Sequence, residues 1–92
     1  MKGTTSSGFE FEANEKVLTD WRFTKTVTTI EKGDDVAKMC ATVELVNMLL
    51  GDAGEAALCE HVKGADGIAS SNKVMKEAGE ILSIMRDKLK NS

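Results

Sequence analysis

Apolar residues recur at helical spacing along most of this 92-residue chain and are densest between Val36 and Leu50. In that stretch, VAKMCATVELVNMLL, Val36, Met39, Cys40, Val43, Val46 and Leu50 fall on one face of a 3.6-residue helix. Leu45, Met48 and Leu49 lie outside that face and are also apolar, so Lys38, Thr42 and Glu44 leave only a narrow polar strip. A helix apolar on most sides is either central in its domain or buried on one side in a partner. Asp34 and Asp35 supply an N-cap and a first-turn acid, and Gly51 follows the last apolar residue as a C-terminal glycine. Asn47 projects close to the line Val36–Val43–Leu50. It reads as a satisfied core amide or a helix-end polar residue, or as a polar register-setter in a helix–helix contact.

The same reading places elements on either side. Gly8-Phe9-Glu10-Phe11-Glu12 alternates apolar and charged residues, the period of a short strand or an extended arm. Phe9 and Phe11 then lie either on the domain's own helices or on a neighbour, and they are the candidate self-association contacts. Asn14 caps a first helix over 15–32 that carries Val17, Leu18, Trp21, Phe23, Val27 and Ile30, with Trp21 as a core anchor and Gly33 as its end. Its Thr24–Thr29 portion is β-branched and resists the helical pattern. Asp52-Ala53-Gly54-Glu55 has capping-box form and opens a short third helix over 53–63. Ser70 or Ser71 then caps a helix over 71–90 whose stripe is Val74, Ala78, Ile81, Leu82, Met85 and Leu89. The pattern predicts an all-α fold: a small bundle of about four helices, near 15–32, 35–50, 53–63 and 71–90, with an extended N-terminal arm. Residues 1–8 read as a flexible leader, 9–90 as a single helical domain and 91–92 as a tail.

Composition narrows the function. The chain carries 15 acids against 12 bases, a net charge of −3, and no basic patch, which argues against nucleic acid as a ligand. No run reaches the roughly 18 apolar residues of a membrane span, and the first eight residues lack the apolar centre of a signal peptide. The absence of proline and tyrosine fits helices better than a sandwich. Cys40 and Cys59 form no C-x-x-C pair and have no histidine at metal spacing, so they read as buried free thiols of a cytosolic protein.

Candidate chemistry does not change this picture. The sequence contains no P-loop, no G-x-G-x-x-G, no H-E-x-x-H, no G-x-S-x-G and no EF-hand loop. His61, the one histidine, reads as a surface or helix-end residue. The expectation is a non-enzymatic interaction module with no catalytic residues, no metal and no cofactor.

One ordered set of residues goes further. Gly8-Phe9-Glu10-Phe11 precedes Asn14-Glu15-Lys16-Val17-Leu18 and Asp20-Trp21-Arg22-Phe23. A Lys32-Gly33-Asp34 break comes next, then Met48-Leu49-Leu50-Gly51-Asp52, then Asp66-Gly67 and a final amphipathic helix. In order and spacing, from about Phe9 to the end, this resembles the tail assembly chaperones of long-tailed bacteriophages and of prophages of Gram-positive hosts. Two features differ from that pattern: the threonine-rich stretch Thr24–Thr29, and a third helix without an aromatic residue. The resemblance implies a protein that coats the tape-measure protein and keeps it soluble before the tail tube polymerises. Such a protein acts in the host cytoplasm, assembles with copies of itself and is absent from the mature virion. Leu45, Met48 and Leu49 are the candidate partner-binding residues, and Met39, Met48, Met75 and Met85 are soft side chains available to such a surface or to an ordinary core. The alternative from another class is a small structural head–tail joining component that stays in the particle. In the resembling family the gene often ends in a slippery stretch such as A AAA AAC, and Lys90-Asn91 fits its codons. A frameshifted longer form would add a tail tube protein to the partners.

Overall fold

The computed structural model describes residues 1–90; Asn91 and Ser92, the expected tail, lie outside the described residues. The expected flexible leader is instead half of a hairpin. β1 (Lys2–Thr4) pairs antiparallel with β2 (Glu10–Glu12), with Lys2 opposite Glu12, Gly3 opposite Phe11 and Thr4 opposite Glu10. The pairing continues beyond both strands. The amino group of Met1 donates to the Ala13 carbonyl at 2.9 Å, the Ala13 N–H donates to the Met1 carbonyl at 2.8 Å, and the Thr5 N–H donates to the Phe9 carbonyl at 2.9 Å. Gly3 permits a close approach: a Cβ there would stand 2.7 Å from Cζ of Phe11. The Phe11 ring therefore lies across β1 and enters the core.

The helix expected over 15–32 starts later. Asn14 does cap, accepting from the Lys16 N–H at 3.1 Å, but the turn it caps, over Glu15–Thr19, is 3-10 rather than α. Asp20 is the cap of the helix proper, α1 (Trp21–Lys32), accepting from the Arg22 N–H at 2.8 Å. Thr26, Thr28 and Thr29 stay helical by donating their hydroxyls to the carbonyls of Arg22, Thr24 and Lys25 at 2.8, 2.9 and 3.1 Å. Each polar β-branched side chain is satisfied on the turn below it. Trp21 stands at the first helical position and is 73% exposed, so it is not a core anchor. Phe23 takes that place.

α2 (Asp35–Val62) joins the two segments expected at 35–50 and 53–63, so the described residues form three α-helices rather than four. Asp34 caps it through the Ala37 N–H at 2.8 Å. The element bends sharply at Gly51, whose φ of 72° and ψ of 175° are not helical. Asp52 and Glu55 serve the bend: the Asn47 side-chain amide donates to both, at 2.6 and 3.3 Å. α3 (Ser71–Lys90) begins with the Val74 N–H donating to the Ser70 carbonyl at 3.0 Å.

The core draws on the hairpin and on α1, α2 and α3. Phe9, Phe11 and Ala13 from the hairpin meet Phe23 of α1, Leu45, Val46, Leu49, Leu58 and Val62 of α2, and Ala78, Ile81 and Met85 of α3. Leu58, Ile81 and Met85 are the most completely enclosed. The architecture is predominantly α, three helices with a two-stranded hairpin packed against α2 and α3.

Candidate functional site

A helix turns about 100° per residue, so the two apolar sides of the first half of α2 face different ways, and the domain covers only one of them. The core takes Ala41, Leu45, Val46 and Leu49, the last three each 3% exposed. The opposite side carries Val36, Met39 and Val43 outward at 73, 46 and 57% exposure, with Cys40 beside them. The longest apolar stripe in the sequence is thus largely turned to solvent.

Two clefts flank this stripe. On one side Met39, Val43 and Val46 meet Cys59, Ala69, Val74 and Met75 around an apolar groove of about 180 Å³. On the other side a wider cleft of about 540 Å³ has Arg22 and Lys25 of α1 along one wall. Glu44 and Glu55 of α2 line it too, together with Val43 and Met48. Val43 and Glu55 border both clefts. Together they form a concave strip that is apolar on the side of Met39 and Met75 and carries both basic and acidic side chains on the α1 side.

The expected site residues divide. Leu45 and Leu49 belong to the core and offer no surface; Met48 is half-buried and reaches the wider cleft. The outward face of α2 therefore lies on the side of Val36, Met39 and Val43. Phe9 and Phe11 are 6 and 5% exposed inside their own domain, and the Phe9 ring lies 5.3 Å from the His61 ring. A contact between copies through these rings would require the hairpin to leave its core. Cys40 is exposed and Cys59 half-buried, so neither is an enclosed thiol.

The chain matches no family model, no curated protein and no solved structure.

A polar cluster not foreseen from the sequence joins the hairpin turn to α2 and α3. The Ser7 hydroxyl donates to Glu77 and lies 3.0 Å from Nε2 of His61 and 3.1 Å from Oγ1 of Thr5. A hydroxyl has one proton, so with that proton on Glu77 the imidazole and Thr5 act as donors to Ser7. Ser6 donates to Glu80 through its N–H and, at 3.0 Å, through its hydroxyl. A hydrolytic triad needs the acid behind the histidine; here the acid grips the serine. The cluster works as a latch that ties the turn to α3. Nothing local in the sequence signals it: Glu77 and Glu80 follow Lys73 and Lys76 at i+4 and read as part of a wet helix face, and no pattern links them to Ser6 or Ser7. Among the described residues no group of three or more His, Cys, Asp or Glu side chains is placed to hold a metal ion. No described helix is long and apolar enough to cross a membrane.

At the α1 edge of the strip, Asp20 accepts from the Arg22 N–H and pairs with its guanidinium at 3.3 Å. The backbone hydrogen bond, then the side-chain one, hold this carboxyl below the usual carboxylate range.

Proposed function

We propose that this protein is a tail assembly chaperone of a long-tailed phage or prophage, a non-enzymatic binder that keeps a tape-measure protein soluble before the tail tube polymerises. The observation that carries the binding role is the outward stripe Val36–Met39–Val43 on a helix whose other side already fills the core. Apolar area of this kind costs solubility unless something covers it. Met39 and Val43 line the apolar groove beside this stripe, the kind of concave surface into which an amphipathic partner helix lays its i, i+3, i+4 and i+7 anchors. Exposed Met39 and half-buried Met75 add side chains that repack around different partner sequences. The phage assignment itself is supported by the order of the Phe-x-Phe arm, the Asp-Trp helix and the Leu-Leu-Gly-Asp break.

The test is co-expression with the tape-measure protein of the same phage or prophage. The soluble yield of that partner is expected to fall at least fivefold with Met39→Asp or Val43→Asp, while far-UV circular dichroism of the chaperone alone stays unchanged. Leu49→Asp is expected to unfold the domain, because it places a charge in the core. Equal partner solubility with the wild-type chain and with both stripe variants rejects this face. Recovery of the chain in purified virions favours the head–tail joining role instead.

A further inference from the structure

Of the three glycines with positive φ, only Gly51 lies inside a helical element. Its φ of 72° and ψ of 175° belong to a region that is essentially glycine-only and that collects at switch segments. Packing does not demand a glycine there, since a Cβ at Gly51 would meet nothing within 4 Å. The bend itself demands it. The bend also has its own clasp, the Asn47 amide on Asp52 and Glu55 at 2.6 and 3.3 Å. Residues five and eight apart are not neighbours on a straight helix, so the clasp exists only while α2 is bent.

Straightened, the 28 residues of α2 would span about 42 Å, more than the 38 Å longest extent of the molecule. Residues 52–90 would leave residues 1–50 and uncover Leu58, Ile81 and Met85, which are 0, 1 and 0% exposed in the bent form. A single chain cannot hold that state. Two chains can, by giving residues 52–90 of each to residues 1–50 of the other and remaking between copies the core contacts that join the two halves. A short hinge under strain invites this exchange.

We propose that Gly51 is a swap hinge and that a second copy of this chain is the partner for the surfaces it uncovers, giving a closed two-fold dimer with a continuous α2. The exchange rebuilds the groove at Met39 and Val43 with Cys59, Ala69, Val74 and Met75 of the second copy, and the hinge is read from the oligomeric state of the chain alone, so its failure and that of the tape-measure reading are distinguishable.

The experiment compares the wild type, Gly51→Ala and Asn47→Ala by light scattering after refolding from denaturant across a range of micromolar concentrations. Alanine is strained at positive φ and prefers the helix. Gly51→Ala is therefore expected to lower the dimer dissociation constant at least tenfold, and Asn47→Ala to lower it in the same direction. A cysteine pair, Ser6→Cys with Glu80→Cys, reads the topology in a Cys40→Ser, Cys59→Ser background. These two residues are hydrogen-bonded across the halves that would exchange. In the dimer fraction the disulfide is expected to join two chains on a non-reducing gel. Dimers whose disulfide lies within one chain overturn the hinge, as does wild-type dissociation behaviour in both variants. If Gly51→Ala fails to fold, Asn47→Ala decides alone: an unchanged dimer fraction overturns the proposal.

Discussion

Side chains that end or bend helices set much of this fold, and several were legible in the sequence. Asp34 before an apolar run is a cap on sight, and Asn47 in an apolar stripe is a polar residue in need of partners; both have them. Asp20 was not legible, because Asn14 offered an equally good cap six residues earlier and no local rule decides between them. Asp20 also yields a pH prediction. Its folded pKa is depressed below the unfolded value of about 3.9. Its contribution is therefore present above that value and lost as the pH falls through the folded pKa. Asp20→Asn keeps an accepting oxygen and cannot titrate. The urea midpoint of the wild type is expected to fall more steeply below about pH 4 than that of Asp20→Asn. Parallel curves for the two proteins would remove the pH role assigned to this cap.

At the scale of elements, the hairpin shows where periodicity succeeds and where it stops. The alternation of Phe9 and Phe11 announces a strand, and the structure has one. Its mate, Lys2–Thr4, carries no apolar side chain to announce itself, so a pairing strand looked like a leader. What makes that mate fit is the missing side chain of Gly3, against which the Phe11 ring closes. A matched pair of substitutions separates this role from ordinary tolerance of glycine. Gly3→Ala would put a Cβ 2.7 Å from Phe11 and 3.2 Å from Ile84, and overpacking of that kind costs about 1–3 kcal/mol. Gly79→Ala, within α3, meets nothing within 4 Å and is expected to stabilise by about 0.5–1 kcal/mol through helix propensity. Urea titrations of both, with opposite shifts in midpoint, are the expected result. A neutral Gly3→Ala would mean that the Phe11 ring moves aside without loss.

For the whole molecule, helical content and a single core spanning residues 9 to 85 followed from apolar spacing, but the orientation of α2 did not. A helix apolar on both sides gives periodicity no basis for choosing which side faces in. The choice is made by the hairpin, α1 and α3, which cover Leu45 and Leu49 and leave Val36, Met39 and Val43 outside. The stripe and the core then differ in what they contribute, and this can be measured. The triple variant Val36→Ser, Met39→Gln, Val43→Ser removes apolar surface that folding does not bury. Its unfolding free energy is expected to stay within about 0.5 kcal/mol of wild type, as for exposed positions generally, while fluorescence of the apolar dye ANS in the native state falls. Leu58→Ala works in the opposite sense. Leu58 is fully enclosed, and truncating a buried leucine costs about 2–5 kcal/mol through lost transfer energy and the cavity left behind. Set against the roughly 5–15 kcal/mol that holds a domain folded, that loss is expected to leave a measurable unfolded population at 37 °C and to raise ANS fluorescence. If the triple variant lost as much stability as Leu58→Ala, the stripe would be part of the folding core and the outward orientation of α2 would be wrong.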